Sequence, residues 1–123
     1  MKIILSIIVL CLCSCESVFA DEPDPWTTKD TAGQAIVTTA LLFDYGQTLQ
    51  IAKNPKYQER NPILGKHPSE GQITPYFLSV AVFHGIISWA LPKDYRPYWQ
   101  SLWVGIELGS IGNNYAIGIK SPF

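Results

Sequence analysis

Three apolar segments lie between residues 29 and 116, and each contains one ionisable side chain well away from its ends. These side chains are Asp44, His84 and Glu107. Because a charged group buried without a partner is costly, a fold that keeps all three must bring them to partners between the segments. This requirement constrains the fold more than any other feature of the sequence.

Hydrophobic periodicity predicts that all three segments are α-helices, and no stretch of the chain predicts a strand. The predicted helices cover residues 29–52, 75–91 and 95 toward 115, with candidate capping residues at Thr27 or Thr28, Thr74 and Asp94. Pro75 suits the first position of the second helix, where its missing N–H costs nothing. The predicted fold class is therefore all-α, a three-helix bundle.

The first twenty residues predict a signal sequence. Met1 and Lys2 precede an apolar run, and Ala20 offers a small residue at the cleavage position. All three cysteines lie at positions 11, 13 and 15, too close together to staple a domain by disulfides. In an alternative interpretation, residues up to Cys15 form a lipoprotein signal and Cys15 is lipidated. A third possibility is an uncleaved anchor.

The rest of the chain divides into a leader and one domain. Residues 21–28 form an acidic, proline-rich linker, and residues 29–123 form the helical domain. Within that domain, residues 53–74 contain several prolines and glycines and predict a long loop. A loop of this length in a small domain is usually functional or disordered.

Composition indicates which surroundings suit the domain. Only 15% of the residues are charged and the net charge is −1, so the chain has no basic excess for binding nucleic acid. Aromatic residues crowd the ends of the second and third helices, as in membrane interfaces. We expect a transmembrane bundle, multi-pass in a bacterial inner membrane, with membrane lipid as its partner. The alternative is a periplasmic domain or an outer-membrane lipoprotein.

The distribution of basic residues predicts the orientation in the membrane. Four basic residues lie in or beside the loop, and a fifth lies on the same side near the C-terminus: Lys53, Lys56, Arg60, Lys66 and Lys120. Three lie on the other side: Lys29, Lys93 and Arg96. Since basic residues favour the cytoplasmic side, the loop is predicted to face the cytoplasm.

Helical spacing predicts an interhelical polar cluster. In the first and third helices the ionisable group shares a face with neutral polar residues. Together with His84 of the second helix, the predicted cluster consists of Asp44, Gln47, Thr48, His84, Glu107 and Asn114. Such a cluster can satisfy itself and specify packing, bind a proton or polar ligand, or hold a metal. No metal or cofactor motif is present, so no cofactor is predicted. Weak candidate metal ligands are Asp44, His67, His84 and Glu107.

A row of small residues marks one face of the third helix. Ser101, Gly105 and Gly109 lie four residues apart, a pattern that lets another helix approach closely. The partner helix could belong to the bundle, to a second copy in a homo-oligomer, or to another membrane protein.

The loop carries the most distinctive motif. Asp44-Tyr45-Gly46-Gln47-Thr48 in the first helix is followed by Glu59-Arg60-Asn61-Pro62. Over residues 44–69 the chain resembles uncharacterised small bacterial multi-pass membrane proteins that combine an Asp/Thr helix with a Glu-x-Asn-Pro loop. This resemblance implies a membrane location and no particular activity. The loop residues singled out are Glu59, Asn61, Pro62, Gly65 and His67, with Asn61-Pro62 and His67-Pro68 expected to fix turns.

The sequence therefore predicts a small, non-enzymatic membrane protein of the bacterial envelope, whose polar cluster serves packing or the binding of a partner or ligand. One alternative is a metal-dependent membrane enzyme, or a metal- or proton-binding site, that uses Asp44, His84 and Glu107. Another is a lipoprotein with a soluble helical interaction domain.

Overall fold

A computed structural model describes residues 22–122, and within this range it contains three α-helices and no strand. The helices are α1 (Thr28–Lys53), α2 (Glu70–Ala90) and α3 (Arg96–Ala116). The prediction of an all-α, three-helix fold is confirmed. The predicted signal sequence, including Cys15, lies outside the described residues.

Helix α1 begins after Thr27, one of the two predicted candidate caps, and Thr27 forms a capping box with Asp30. The Thr27 hydroxyl accepts the backbone N–H of Asp30, and the Asp30 carboxylate accepts the backbone N–H of Thr27 at 2.9 Å. The helix ends where Asn54 takes an extended conformation before Pro55. Its 26 residues span about 39 Å at 1.5 Å per residue.

Helix α2 begins at Glu70, five residues before the predicted start at Pro75, so the prediction of Thr74 as its cap is wrong. Gln72 Oε1 accepts the backbone N–H of Ser69 at 2.9 Å, which closes the N-terminus there. Thr74 lies inside the helix and its hydroxyl bonds Tyr45 of α1 at 3.1 Å. Pro75 is tolerated in the second turn because it removes only one helical hydrogen bond.

The ends of α3 also differ in part from expectation. Tyr95, and not Asp94, is the N-terminal cap, since a turn closed by the Tyr95 N–H and the Pro92 carbonyl runs straight into the helix. At the C-terminus Gly118 has a φ of +96°, and the Ile119 N–H bonds the Asn114 carbonyl at 2.9 Å. This Schellman turn buries Ile119 against the end of the bundle.

Helix α1 is the central element and packs against both other helices, whereas α2 and α3 touch each other least. The apolar core lies between α1 and α2 and consists of Val37, Leu41, Ile73 and Phe77. Most side-chain hydrogen bonds that cross from α1 to α3 join polar residues in the interior. The interface of α1 with α2 is therefore mainly apolar, and the interface of α1 with α3 is mainly polar.

The bundle carries polar residues inside and apolar residues outside. Among residues 22–122, nine polar or charged side chains are buried against six hydrophobic ones. Large apolar side chains are instead exposed along all three helices, among them Ile36, Leu42, Leu78, Val82, Phe83, Ile86, Leu102, Ile106 and Leu108. In a water-soluble domain charged residues are seldom fully buried, and large contiguous apolar surfaces mark contact with lipid or a partner.

Candidate functional site

Two helices meet at a polar group of four side chains, which we call the carboxylate cluster: Asp44 and Gln47 of α1, and Glu107 and Asn114 of α3. The Asn114 amide donates to Asp44 Oδ1 at 3.0 Å and to Gln47 Oε1 at 3.2 Å. One amide group therefore joins α1 to α3 at two points. The sequence predicted these residues on facing sides of their helices, and the structure brings them together.

Two atoms of the carboxylate cluster lack a partner among the described residues. Glu107 is only 5% exposed, yet its Oε2 receives no hydrogen bond, and the fully buried Gln47 has an unpartnered Nε2. Glu107 also lies close enough to Asp44 for the two carboxyl groups to interact electrostatically. A buried acceptor and a buried donor without partners are uncommon in a protein interior, and each needs a physical explanation such as an ordered water or an ion.

A cleft of about 440 Å³ leads from the surface to Asp44. Its walls come from α1, α2, α3 and the loop between α1 and α2. Carboxylates and amides share the lining with apolar side chains: Asp44, Thr48, Glu59, Asn61, Asn113 and Asn114 with Leu64, Phe77 and Ile106. Clefts of roughly 300–1,000 Å³ with mostly apolar walls and a few polar groups are typical of small-molecule sites.

The loop of the Glu-x-Asn-Pro motif forms one wall of this cleft. Glu59 Oε1 accepts the backbone N–H groups of Arg60 and Asn61, both at 2.8 Å. The Asn61 amide donates to Tyr76 of α2 at 2.6 Å, and the Arg60 guanidinium donates to Asn113 of α3 at 2.8 Å. The motif thus fastens the loop to two helices.

The remaining motif residues shape the loop. Pro62 lines the cleft, and Gly65 has a φ of +75°, in the left-handed region that favours glycine. Its N–H bonds the Asn61 carbonyl at 3.0 Å and closes the turn. His67 is exposed.

His84 lies apart from the carboxylate cluster. Its ring stacks on Trp99 and meets Trp103 edge-on, with centroids 5.5 Å away in both cases, and its Nδ1 lies 3.5 Å from the Ser88 hydroxyl. Within residues 22–122 no hydrogen bond or ion pair joins His84 to Asp44 or Glu107. The structure therefore divides the predicted six-residue cluster into a carboxylate part and a histidine–tryptophan part.

The weak metal candidates do not assemble. In the described part of the chain, no three His, Cys, Asp or Glu side chains come close enough together to hold a metal ion. Asp44 and Glu107 are near each other, whereas His67 is on the exposed loop and His84 contacts aromatic rings.

Sequence reasoning missed a second polar site at the opposite end, which we call the arginine node. Arg96 is fully buried, and its guanidinium donates five hydrogen bonds at 2.7–3.2 Å. The acceptors come from three segments of chain, the leader, α1 and the end of α2: Asp24, Pro25, Asp30, Trp89 and Leu91. Trp26 covers the guanidinium at 5.3 Å. The proline-rich leader is therefore bound to the bundle.

A close approach of α1 and α3 supports the arginine node. Gln100 donates to the backbone carbonyl of Asp30 at 3.0 Å. Its side chain passes over Gly33, where any Cβ would collide with it. Glycine is therefore required at position 33 for this hydrogen bond.

The arginine node gives folding a pH dependence through Asp30. Burial raises the pKa of Asp30, but hydrogen bonds from Thr27 and the ion pair with Arg96 outweigh burial and hold the pKa below the usual 3.8. The unfolded chain then binds more protons at acid pH, so stability is full above 3.8 and falls as the pH drops through the lowered pKa. We expect the parent to lose more stability than Asp30→Asn between about pH 5 and pH 2 in denaturant titrations. Equal losses would contradict this assignment.

The small residues of the row on α3 are exposed, and Gly109 lies at the cleft. Ser101, Gly105 and Gly109 are exposed, and no described atom lies within 4 Å of a Cβ placed on either glycine. Helices α1 and α2 therefore do not use this row, and its use by a second copy stays a prediction.

Comparison of the chain with protein-family models, curated proteins and solved structures gives no match. The resemblance to small bacterial membrane proteins with a Glu-x-Asn-Pro loop therefore stays a prediction.

Proposed function

We propose that this chain is a non-enzymatic membrane protein of the bacterial envelope, a bundle inserted through the inner membrane that binds a polar ligand in the cleft beside the carboxylate cluster. The observation that carries the proposal is the inverted distribution of residues. Among the described residues, buried polar side chains outnumber buried hydrophobic ones, and large apolar side chains are exposed along all three helices. Lipid satisfies such an exterior, whereas water does not.

The length and composition of α2 support insertion. Among the described helices, Glu70–Ala90 is the one long and apolar enough to cross a membrane, and 22% of its apolar window is buried in the bundle. The core helix of a soluble protein would be mostly buried. Since α1 packs against α2, and α3 packs against α1, both would cross with α2, over about residues 33–52 and 97–116. Asp30 and the leader then lie at the membrane surface.

The orientation follows from the charged ends of the bundle. The loop end, with the cleft, holds five basic residues when Lys53 and Lys120 are included. The other end holds three basic residues, Lys29, Lys93 and Arg96. The basic loop end faces the cytoplasm in this proposal, so the ligand enters from the cytoplasm.

Binding and packing, and not catalysis, suit the chemistry of the interior. The carboxylate cluster is joined by amide hydrogen bonds, which orient and bind groups. Ser88 and His84 contact each other, but both side chains are fully buried, so no substrate reaches them.

Single-cysteine labelling tests insertion, because the chain beyond Cys15 contains no cysteine. Leu78 lies near the middle of α2 and is 64% exposed, whereas Gln58 is exposed on the loop. In membrane vesicles we expect Leu78→Cys to react with a hydrophilic maleimide at least about tenfold more slowly than Gln58→Cys, because lipid excludes the reagent. The protein should also stay in the pellet after carbonate extraction.

Two matched variants complete the experiment. Asp94→Cys, on the exposed turn at the other end, should be labelled from the periplasmic side, and Gln58→Cys from the cytoplasmic side. Release by carbonate together with fast labelling of Leu78→Cys would refute membrane insertion.

A further inference from the structure

We infer that the cleft beside the carboxylate cluster binds a small organic cation, with its ammonium group on Asp44 and its apolar part against Phe77, Leu64 and Ile106. This inference rests on the proposed function and names the ligand class of the same cleft. It is carried by the charge balance of the cleft, by its size and walls, and by the unpartnered groups behind it.

The first step concerns charge. Two acidic side chains, Asp44 and Glu59, line the cleft, and a third, Glu107, lies close enough to Asp44 to interact with it electrostatically. The cation that lines the cleft is Arg60, which donates to the amide of Asn113 and forms no ion pair with these carboxylates. The cleft thus has more acidic than basic side chains, and a cationic ligand would stabilise the ionised form of Asp44.

The second step concerns the unpartnered groups. Glu107 is only 5% exposed, and its Oε2 has no hydrogen-bond donor among the described residues. An acceptor buried without a donor has lost its hydrogen bonds to water, and this loss is more costly when the group is charged. A cation bound at Asp44 would lower the cost of holding Glu107 nearby.

The third step distinguishes an organic cation from a metal ion. A metal held by the protein needs several donors close together, and residues 22–122 contain no group of three His, Cys, Asp or Glu side chains in that arrangement. The cleft is about 440 Å³, much larger than an ion requires, and part of its wall is apolar. An ammonium group attached to an apolar body matches both parts of the lining.

The test uses detergent-purified full-length protein with benzylammonium as the probe and benzyl alcohol as its neutral counterpart. Isothermal titration should detect benzylammonium binding and at least about tenfold weaker binding of benzyl alcohol, since only the cation forms a charge-assisted hydrogen bond with Asp44. Asp44→Asn should weaken benzylammonium binding at least about tenfold. Asp94→Asn, at the other end of the molecule, should leave the Kd unchanged.

A steric variant keeps the inference testable if Asp44→Asn does not fold. Gly109 lines the cleft and has open space beside it, so Gly109→Leu should fill the cleft without removing charge. We expect Gly109→Leu to weaken benzylammonium binding at least about tenfold without lowering the melting temperature of the free protein, because leucine favours a helix more than glycine does.

The other results overturn the inference. Equal binding of benzylammonium and benzyl alcohol would identify an apolar cleft, and unchanged binding by both Asp44→Asn and Gly109→Leu would place the probe elsewhere. Stabilisation by Na⁺, Mg²⁺ or Ca²⁺ that competes with benzylammonium would replace the organic cation with a metal ion. These outcomes are independent of carbonate extraction and labelling, so a failure here leaves membrane insertion standing.

Discussion

Replacing Arg96 with methionine is expected to destabilise the protein by about 3–5 kcal/mol, the loss seen when one partner of a buried ion pair is removed. Methionine keeps much of the apolar stem but removes all five donors of the arginine node. Asp30 would then be a buried carboxylate without its cation. The carbonyl groups of the leader and of the end of α2 would also lose their donor. The measurement is the free energy of unfolding from denaturant titration in detergent micelles.

Two variants show whether the effect belongs to the buried position. Arg60→Met removes an exposed guanidinium with one hydrogen bond, to Asn113, and should change stability by less than about 1 kcal/mol. Arg96→Lys keeps the charge but not the planar array of donors, so its loss should fall between the two. If Arg96→Met is as stable as Arg60→Met, the arginine node does not hold the leader and helices together.

Replacing Asn114 with alanine is expected to cost about 2–4 kcal/mol, because two interior acceptors lose their shared donor. The acceptors are the Asp44 carboxylate and the fully buried Gln47 side chain. In a denaturant titration, Asn114→Ala should therefore unfold at a markedly lower denaturant concentration than the parent.

Asn113 provides the neighbouring control. Asn113→Ala removes one acceptor of the exposed Arg60 and should cost less than about 1 kcal/mol. In a double-mutant cycle, Asp44→Ala and Asn114→Ala should be coupled by about 0.5–3 kcal/mol, as expected for residues in one hydrogen-bond network. Additive losses would show that the amide does not join α1 to α3 through Asp44.

Local rules predicted the elements of the fold, and they failed where two signals competed. Thr27 caps α1 because its hydroxyl and Asp30 are only three residues apart, a distance that the sequence shows directly. Thr74 followed by Pro75 gave an equally good local signal for the start of α2, yet the earlier Ser69–Gln72 pair begins the helix. The packing of α1 against this helix compensates for the backbone hydrogen bond that Pro75 removes in the second turn. That packing is a tertiary effect, which local sequence rules do not include.

The candidate site was predictable only as far as helical faces determine it. Asp44 with Gln47, and Glu107 with Asn114, could be placed on shared faces by spacing alone. Spacing does not determine the height of one helix against another. His84 therefore proved to contact Trp99 and Trp103, and the expected contact with the carboxylates is not seen in the described residues.

The arginine node was beyond prediction because its partners in the leader and α1 lie 66–72 residues away in the sequence. One signal was available. A cation in the first turn of a helix opposes the helix dipole, so Arg96 at the start of α3 needs a compensating partner.

The position of Arg96 late in the chain also sets the order in which the molecule can assemble. Residues 24–91 contain every acceptor of the arginine node, and all of them are synthesised before the guanidinium that joins them. Until Arg96 is present, the shared end of α1 and α2 has no guanidinium to hold the leader in place. The third helix therefore completes this end, and the nascent chain reaches its final arrangement only after Arg96 leaves the ribosome.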